Sequence, residues 1–178
     1  MGSPRPLTDW PRSCADSLAT NHGGVAAVAR SGVRLTLFDL GISLSSFELL
    51  PVRIVLGLSV CVVIVIYSTG PVTTSFFTEL SDVTDPVATT VESIYVVGDL
   101  NIRLDHADDP RSRRLTDLLA SYGLSSHVSI PTHDRGGLLD IVASRDDLPT
   151  PSVDVIDVGL SDHRLLRWST PLVGSPPV

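Results

Sequence analysis

Polar side chains, most of them able to transfer protons, stand at the ends of apolar runs in four parts of this sequence. They are Tyr67, Asp99 with Asn101, Asp140, and Asp162 with His163. Each follows or flanks a predicted strand, and the strands of one sheet can bring such positions to a common edge. Acids and a histidine gathered at one edge are typical of an active site. Their joint occurrence is more informative than any single residue.

The clearest of these parts is the segment 94–101, Ile-Tyr-Val-Val-Gly-Asp-Leu-Asn. A short apolar run ends at Gly98, followed by Asp99 and, two residues on, Asn101. In an extended chain, residues two apart lie on the same face. Asp99 and Asn101 are therefore expected to aim at one point, while Leu100 turns back into the core. Gly-Asp and Asp-x-Asn also form ordinary turns, which is the alternative for this segment taken alone.

The other acids need partners or have simpler explanations. Asp140 lies inside the apolar run Leu-Leu-Asp-Ile-Val, where an acid needs a partner such as a nearby histidine. Asp162 and His163 are adjacent, so in an extended chain they point in opposite directions and do different jobs. Taken singly, Tyr67 suits a strand cap, Asp140 a bond to a backbone amide, and Ser161 with Asp162 a turn or helix cap.

Length and composition predict one globular domain whose net charge does not favour binding to nucleic acid. The chain has 178 residues, 43% of them hydrophobic, which is enough for one sizeable core. Its formal charge of −7 has the wrong sign for electrostatic binding to nucleic acid. A phosphate-binding role therefore needs a bound cation or a local basic patch. Cys14 and Cys61 lack metal-ligand spacing, which argues against a disulfide framework or a zinc site.

The most apolar stretch, 54–67, is predicted to be a turn and a buried strand rather than a membrane anchor. It is shorter than the roughly 20 residues that a spanning helix needs. Its many β-branched residues favour a strand after a break at 57–59. Residues 1–21 have no apolar centre, so no signal peptide is evident. We expect no membrane partner.

The pattern of elements predicts an α+β fold with packed sheets and helices outside. Strands are predicted at 25–29, 33–38, 47–54, 60–66, 94–97, 138–144, 153–158 and 164–169. One helix is predicted over 75–93, ended or kinked at Pro86, and a second between the cap Asp109 and the stop Gly123. Residues 1–21 are expected to be an irregular lead-in, 22–172 the domain, and 173–178 an unpacked tail.

The motifs, in this order and spacing, resemble the endonuclease/exonuclease/phosphatase superfamily. The matching segments are Tyr67, Gly98-Asp99-Leu100-Asn101, Leu139-Asp140 and Ser161-Asp162-His163. More narrowly, residues 21–172 resemble the apurinic-type endonuclease domain of non-LTR (LINE-like) retrotransposons. The supporting segments are Gly23-Gly24-Val25-Ala26, Phe47-Glu48-Leu49-Leu50 and Pro131-Thr132-His133. The resemblance implies a two-sheet β-sandwich with flanking helices and a divalent-metal phosphodiesterase site at one edge.

The resemblance also implies roles for the site residues. Asp162 would help to hold the metal, Mg²⁺ or Mn²⁺. His163, oriented by Asp140, would be a base or a phosphate-facing partner, and Asp99 would position or activate the attacking water. The remaining two residues, Asn101 and Tyr67, would hydrogen-bond the scissile phosphate.

The implied partner is the phosphate backbone of DNA, and the acidic chain must offset its own charge to approach it. Arg103 is the expected substrate contact, supported by Arg111, Arg113 and Arg114. The alternative for this arginine cluster is the solvated face of a helix.

Two departures from the family pattern point to a weakened enzyme. Neither the family's early asparagine nor its metal-binding glutamate is recognisable before His22, and Glu48 matches a different, structural position. Tyr67 is followed by Ser-Thr-Gly-Pro where the family usually has Arg-Pro-Pro. We therefore expect an N-terminally truncated domain that holds its cation weakly, if at all, and has weak or no activity. Missing strands would expose a sheet edge and invite self-association.

The sequence is compatible with three functions. The first is a DNA endonuclease of retrotransposon origin, intracellular and nuclear if it acts on DNA, with a reverse-transcriptase domain in a longer product. The second is a catalytically silent remnant that serves only as a fold or interaction module. The third is a phosphatase-type member that acts on a small phosphoester.

Overall fold

The structure, a computed structural model, describes residues 13–16 and 24–171. The strands are β1 (Ser13–Asp16), β2 (Ala26–Ala29), β3 (Arg34–Leu37), β4 (Glu48–Leu56), β5 (Ser59–Tyr67), β6 (Ile94–Asp99), β7 (Leu124–Ser126), β8 (Asp140–Arg145), β9 (Ser152–Ile156) and β10 (Leu165–Ser169). The helices are α1 (Thr74–Thr90) and α2 (Pro110–Ser121).

A six-stranded sheet in the order β3-β4-β5-β6-β8-β7 forms the centre of the described chain. β5 and β6 are parallel, and their neighbours in this sheet are antiparallel. Two further two-stranded sheets, β1-β2 and β9-β10, complete the β-structure. The uninterrupted apolar run of β5 follows from this position, because a central strand is covered on both faces.

Both helices cover one face of the large sheet. Phe76, Leu80 and Val83 of α1 are fully buried and pack with Ile64 and Ile66 of the sheet. Each such side chain contributes about 1.5–3 kcal/mol by leaving water.

The ends of the two helices follow from their local sequences. α1 continues through Pro86 and ends at Thr90, earlier than predicted, because Val91 is already extended on the way into β6. α2 begins as predicted, because the Asp109 side chain accepts a hydrogen bond from the Arg111 N–H and proline occupies the first turn.

The two small sheets cover the opposite face. Trp168 and Val155 of the β9-β10 pair pack on Tyr95, Val97 and Val142. At the other end, Ala27 of β2 packs against Leu50 and Val52 of β4. The large sheet is therefore enclosed between helices and further β-structure, which is the predicted α+β arrangement.

Each predicted strand and helix corresponds to an observed one, and two short strands were missed. β7 has three residues, too few for an alternating pattern. β1 lies within the lead-in that was expected to be irregular. The other residues of 1–23 and the tail 173–178 lie outside the described part, so the division of the chain at 21 and 172 stays a prediction. Within the described part, Cys61 is a free thiol, and no helix is long and apolar enough to cross a membrane.

Candidate active site

Tyr67, Asp99 and Asp140 stand side by side at the ends of three neighbouring strands. Tyr67 is the register partner of Asp99 in the parallel pair β5-β6, and Asp99 is the partner of Asp140 in the antiparallel pair β6-β8. Register partners carry their side chains on the same face of a sheet. β5 and β6 end at this edge and β8 begins there, so the fold brings together residues that are distant in sequence.

Gly98 makes this register possible. Its φ of 127° lies in a region that other residues rarely adopt. A Cβ at this position would collide with the backbone carbonyl of Ile66 on β5. The next residue continues the close approach, because the Ser68 N–H donates to the Asp99 carbonyl at 2.9 Å. The glycine therefore allows β6 to lie against β5 with Asp99 beside Tyr67.

His163 lies between the two carboxylates. Its Nδ1 is 3.0 Å from Asp140 Oδ2, and its Nε2 is 3.7 Å from Asp99 Oδ2. An ionised carboxylate can only accept, so the Nδ1–H of His163 donates to Asp140. The side chains of Asp99 and Asp140 are only 17% and 13% exposed, whereas that of His163 is 31% exposed. Each ring nitrogen thus faces a mostly buried carboxylate, that of Asp140 at hydrogen-bond distance and that of Asp99 farther away.

The three groups change one another's protonation. Burial lowers the pKa of His163, but the hydrogen bond and charge of Asp140 and the charges of Asp99 and Asp162 outweigh it, so this pKa is raised. Burial raises the pKa of Asp99, and the nearby charge of Asp140 adds to the rise. The Asn101 N–H and the positive field of His163 oppose this rise without cancelling it. The negative charges of the carboxylates therefore favour the protonated form of His163.

The expected arrangement of Asp99 and Asn101 is wrong in one respect. Leu100 does turn into the core and is fully buried. Asn101, however, has a φ of 53° and is not extended, so the same-face argument does not apply to it. Its N–H donates to Asp99 Oδ1 at 2.9 Å. The segment is both a turn and a site, because one oxygen of Asp99 makes the turn and the other faces His163.

The loop between β7 and β8 holds two parts of the site together. Thr132 is fully buried, and its hydroxyl accepts from the N–H groups of Leu139 and Asp140 at 3.1 and 3.2 Å. Its carbonyl accepts from the Arg164 N–H at 2.8 Å. The N–H groups of Leu138 and Leu139 donate to the side chains of Asp105 and Thr132 rather than to a neighbouring strand, so β8 begins at Asp140, two residues later than predicted. In the sequence, this loop is visible only as the family-like segment Pro131-Thr132-His133.

Most arginines of the predicted cluster are bound to their own neighbours. Arg103 pairs with Asp105 and Arg111 with Asp109, and these contacts lower the pKa of each acid to about 2. Arg114 lies over the Phe77 ring, 4.6 Å from its centroid. The helix-face alternative fits these contacts best, and a phosphate contact by Arg103 stays a prediction.

Glu48 extends the row of site residues by one strand. It is the register partner of Tyr67, so Glu48, Tyr67, Asp99 and Asp140 form a line across four neighbouring strands. Its Oε2 is buried and has no hydrogen-bond partner among the described residues. In the sequence, Glu48 matches only a structural position of the family. Glu48 lies two and four residues before the buried Leu50 and Val52, and this two-residue spacing was the signal that places it on their face of the strand.

The donor groups suit a divalent cation. Asp99, Asp140 and His163 offer ligand atoms that lie within 4.8 Å of one another. Carboxylate oxygens suit Mg²⁺ or Mn²⁺, and the His163 imidazole is a ligand only in its neutral form, which Mn²⁺ accepts more readily than Mg²⁺ does. The unpartnered oxygen of Glu48 is a further acceptor on the same face. Asp162 is 68% exposed, with its Oδ2 3.3 Å from His133 Nε2, so it is open to an ion from solvent.

Helices cover one face of the large sheet, further strands cover the other, and acids and a histidine meet at one edge. Comparison with solved structures shows that this is the endonuclease/exonuclease/phosphatase fold. The chain is similar to the endonuclease domain of TRAS1, a telomere-specific non-LTR retrotransposon. The TM-score is 0.71 at 18% identity, over 89% of this chain and 78% of that one. The predicted fold is confirmed.

Two bacterial structures share the fold. The 3′ phosphatase NExo from Neisseria, bound to a product DNA hairpin, gives a TM-score of 0.60 at 18% identity, over 89% of this chain and 79% of that one. The Haemophilus ducreyi cytolethal distending toxin gives 0.51 at 19% identity, over 86% and 64%. No protein-family model and no curated protein matches the sequence. At these identities the likeness establishes the fold, and function must be argued from the site.

Proposed function

We propose that this chain is a divalent-metal-dependent phosphodiesterase of retrotransposon origin that acts on the phosphate backbone of DNA. The observation that carries the proposal is the group of Asp99, Asp140 and His163, which the fold assembles at one sheet edge. The likeness to an endonuclease domain and to a 3′ phosphatase bound to DNA supports this class of substrate.

The protein's own groups suit the steps of phosphodiester hydrolysis. His163 is fixed by Asp140, and its raised pKa favours the protonated form, which can donate to an anionic phosphate oxygen. Asp99 is half-buried with a raised pKa, so its Oδ2 is suited to take a proton from water. The Tyr67 hydroxyl makes no hydrogen bond to the residues that the structure describes, so it is free to bind a phosphate oxygen.

Asp162 would help to hold Mg²⁺ or Mn²⁺, and a bound divalent cation supplies charge that polarises a phosphoryl oxygen. We propose weak cation binding and slow turnover. A chain with a net charge of −7, whose arginines near the site are largely paired with acids, also attracts DNA weakly.

Nicking of supercoiled plasmid tests the proposal. We expect slow, cation-dependent nicking that EDTA abolishes and that Asp99→Asn or His163→Ala reduces about 100-fold or more. Asp154→Asn is the matched control, because this acid pairs with Arg167 on the exposed β9-β10 surface. Nicking that survives both site substitutions would come from another protein in the preparation and would contradict the proposal.

Phosphatase activity is the second candidate, favoured by the likeness to NExo. The same acid–histidine group would then release phosphate from a small phosphoester or a 3′-phosphorylated oligonucleotide, without nicking plasmid. A silent module, the third candidate, would show neither reaction and no heat of cation binding. A nuclear location, a linked reverse-transcriptase domain and self-association through a sheet edge belong to the proposal as well.

A further inference from the structure

His133 lies against the catalytic histidine, yet the proposed chemistry gives it no role. Its side chain is only 14% exposed. Its ring meets that of His163 edge to face, with centroids 4.9 Å apart and an interplanar angle of 83°. The two residues also form an isolated β-bridge. A second imidazole is therefore built into the site.

The backbone selects the tautomer of this imidazole. The Arg135 N–H donates to Nδ1 of His133 at 3.0 Å, so Nδ1 carries no hydrogen. The hydrogen of the neutral ring is then on Nε2. Nε2 is the atom that lies 3.3 Å from Asp162 Oδ2. His133 thus presents an N–H, rather than a lone pair, to the Asp162 carboxylate.

This tautomer argues against a separate metal site formed by the two histidines and Asp162. His133, Asp162 and His163 do offer ligand atoms within 4.8 Å of one another. A metal-bound histidine, however, normally donates its second N–H to an acceptor. Nδ1 of His133 faces a donor instead, so Nε2 has no lone pair to offer a cation.

Asp162 needs such a partner because little else restrains it. Its side chain is 68% exposed, and the contact to His133 is its only ion-pair contact in the described part of the chain. Its backbone is held, since the Asp134 N–H donates to its carbonyl at 2.9 Å. An exposed carboxylate otherwise samples several rotamers, and ordering it to bind an ion costs conformational entropy.

We propose that His133 is a positioning residue, whose Nε2–H holds the Asp162 carboxylate in one orientation for cation binding. This inference rests on the proposed function for its catalytic consequence. Removing a group that hydrogen-bonds a metal ligand typically lowers metal affinity 10- to 100-fold.

Three substitutions of His133 test the role. His133→Phe keeps a ring against His163 but removes both nitrogens, His133→Asn replaces only the Nδ1 side, and His133→Gln places a donor near the Nε2 position. We expect Phe and Asn to weaken Mn²⁺ binding about tenfold or more and Gln to restore most of it. Calorimetric titration of the metal-free protein with Mn²⁺ measures this without turnover. Unchanged Mn²⁺ affinity in His133→Phe, whatever its melting temperature, would overturn the inference.

Nitrogen-15 NMR of the metal-free protein tests the tautomer without reference to catalysis. We expect His133 to carry its hydrogen on Nε2 and this signal to shift in Asp162→Asn but not in Asp154→Asn. A hydrogen on Nδ1 would overturn the inference. If the tautomer and the Mn²⁺ effects are found but plasmid is never nicked, the positioning role holds and the proposed DNA-cleaving function fails.

Discussion

At the scale of single residues, His163 lies between the two carboxylates of the site, and its protonation state sets the charge that both of them face. Asp140 holds one ring nitrogen at 3.0 Å and Asp99 lies 3.7 Å from the other. Asp99 also caps its own turn through the Asn101 N–H. Asp99 therefore has only Oδ2 left for a reaction. The protonation state of His163 determines whether this oxygen faces a positive or a neutral ring.

The raised pKa of His163 leads to a prediction about Asp140→Asn. Among the causes that raise this pKa, the hydrogen bond and charge of Asp140 come first, so the substitution should lower it. NMR titration of the metal-free protein measures the shift. Asp99→Asn is the matched control and should lower the pKa less, because Asp99 lies 3.7 Å from the other ring nitrogen and contributes its charge without a hydrogen bond.

The same shift sets a pH dependence of stability. A histidine with a raised pKa in the folded state binds its proton more tightly than in the unfolded chain. Its contribution is complete below about pH 6.5 and is lost as the pH rises through the folded-state pKa. The stability lost in Asp140→Asn should therefore shrink above pH 6.5 in urea unfolding. A loss that grows with pH would contradict the assignment.

At the scale of elements, the contact between β5 and β6 controls the site. The parallel pair ends at one edge, and Gly98 permits the close approach that puts Asp99 next to Tyr67. The loop before β8 then fixes Asp140 through the Thr132 hydroxyl. The site is built on rigid strands and a bonded loop, which suits chemistry that depends on exact distances.

Gly98→Ala should destabilise the protein by about 3 kcal/mol or more, because it adds backbone strain and a collision with the Ile66 carbonyl. Gly57→Ala is the matched control. Gly57 also has a positive φ, 60°, but an added Cβ there meets no atom within 4 Å. It should cost only about 1 kcal/mol. Urea unfolding measures both, and equal losses would show that the contact between β5 and β6 is not what requires glycine.

At the scale of the whole molecule, charge is the main obstacle to DNA binding. All 13 basic residues are arginines, against 20 acids. Several arginines are held by acids nearby, as Arg103 is by Asp105 and Arg145 by Asp147. In the loop beside His133, by contrast, the exposed guanidinium of Arg135 makes no ion pair or hydrogen bond to any described residue. Arg135 is thus a freer cation next to the site than Arg103.

This difference predicts unequal roles in DNA binding. Arg135→Ala should weaken binding to a labelled duplex and reduce the slope of log K against log salt by about one, the loss of one phosphate contact. Arg103→Ala should change the slope less, because its charge is already used by Asp105. Fluorescence anisotropy in EDTA measures binding without cleavage. A larger effect of Arg103 would instead support the contact that its position in the sequence predicts.

Local sequence determined most of the strands and helices and most of the residues that form the candidate site. Apolar periodicity located the strands, Asp109 and Gly123 bounded α2, and the acid and histidine motifs marked the sheet edge. These features could be predicted because capping, turns and alternation depend on residues close together in the chain.

Tertiary structure alone decided how those residues are used. The place of Glu48 beside Tyr67 and that of His163 between Asp99 and Asp140 depend on strand register and on contacts between residues distant in sequence. A sequence motif indicates which side chains lie at the edge of the sheet. The backbone packing at that edge fixes which atom of each group is already bonded and which is left for chemistry.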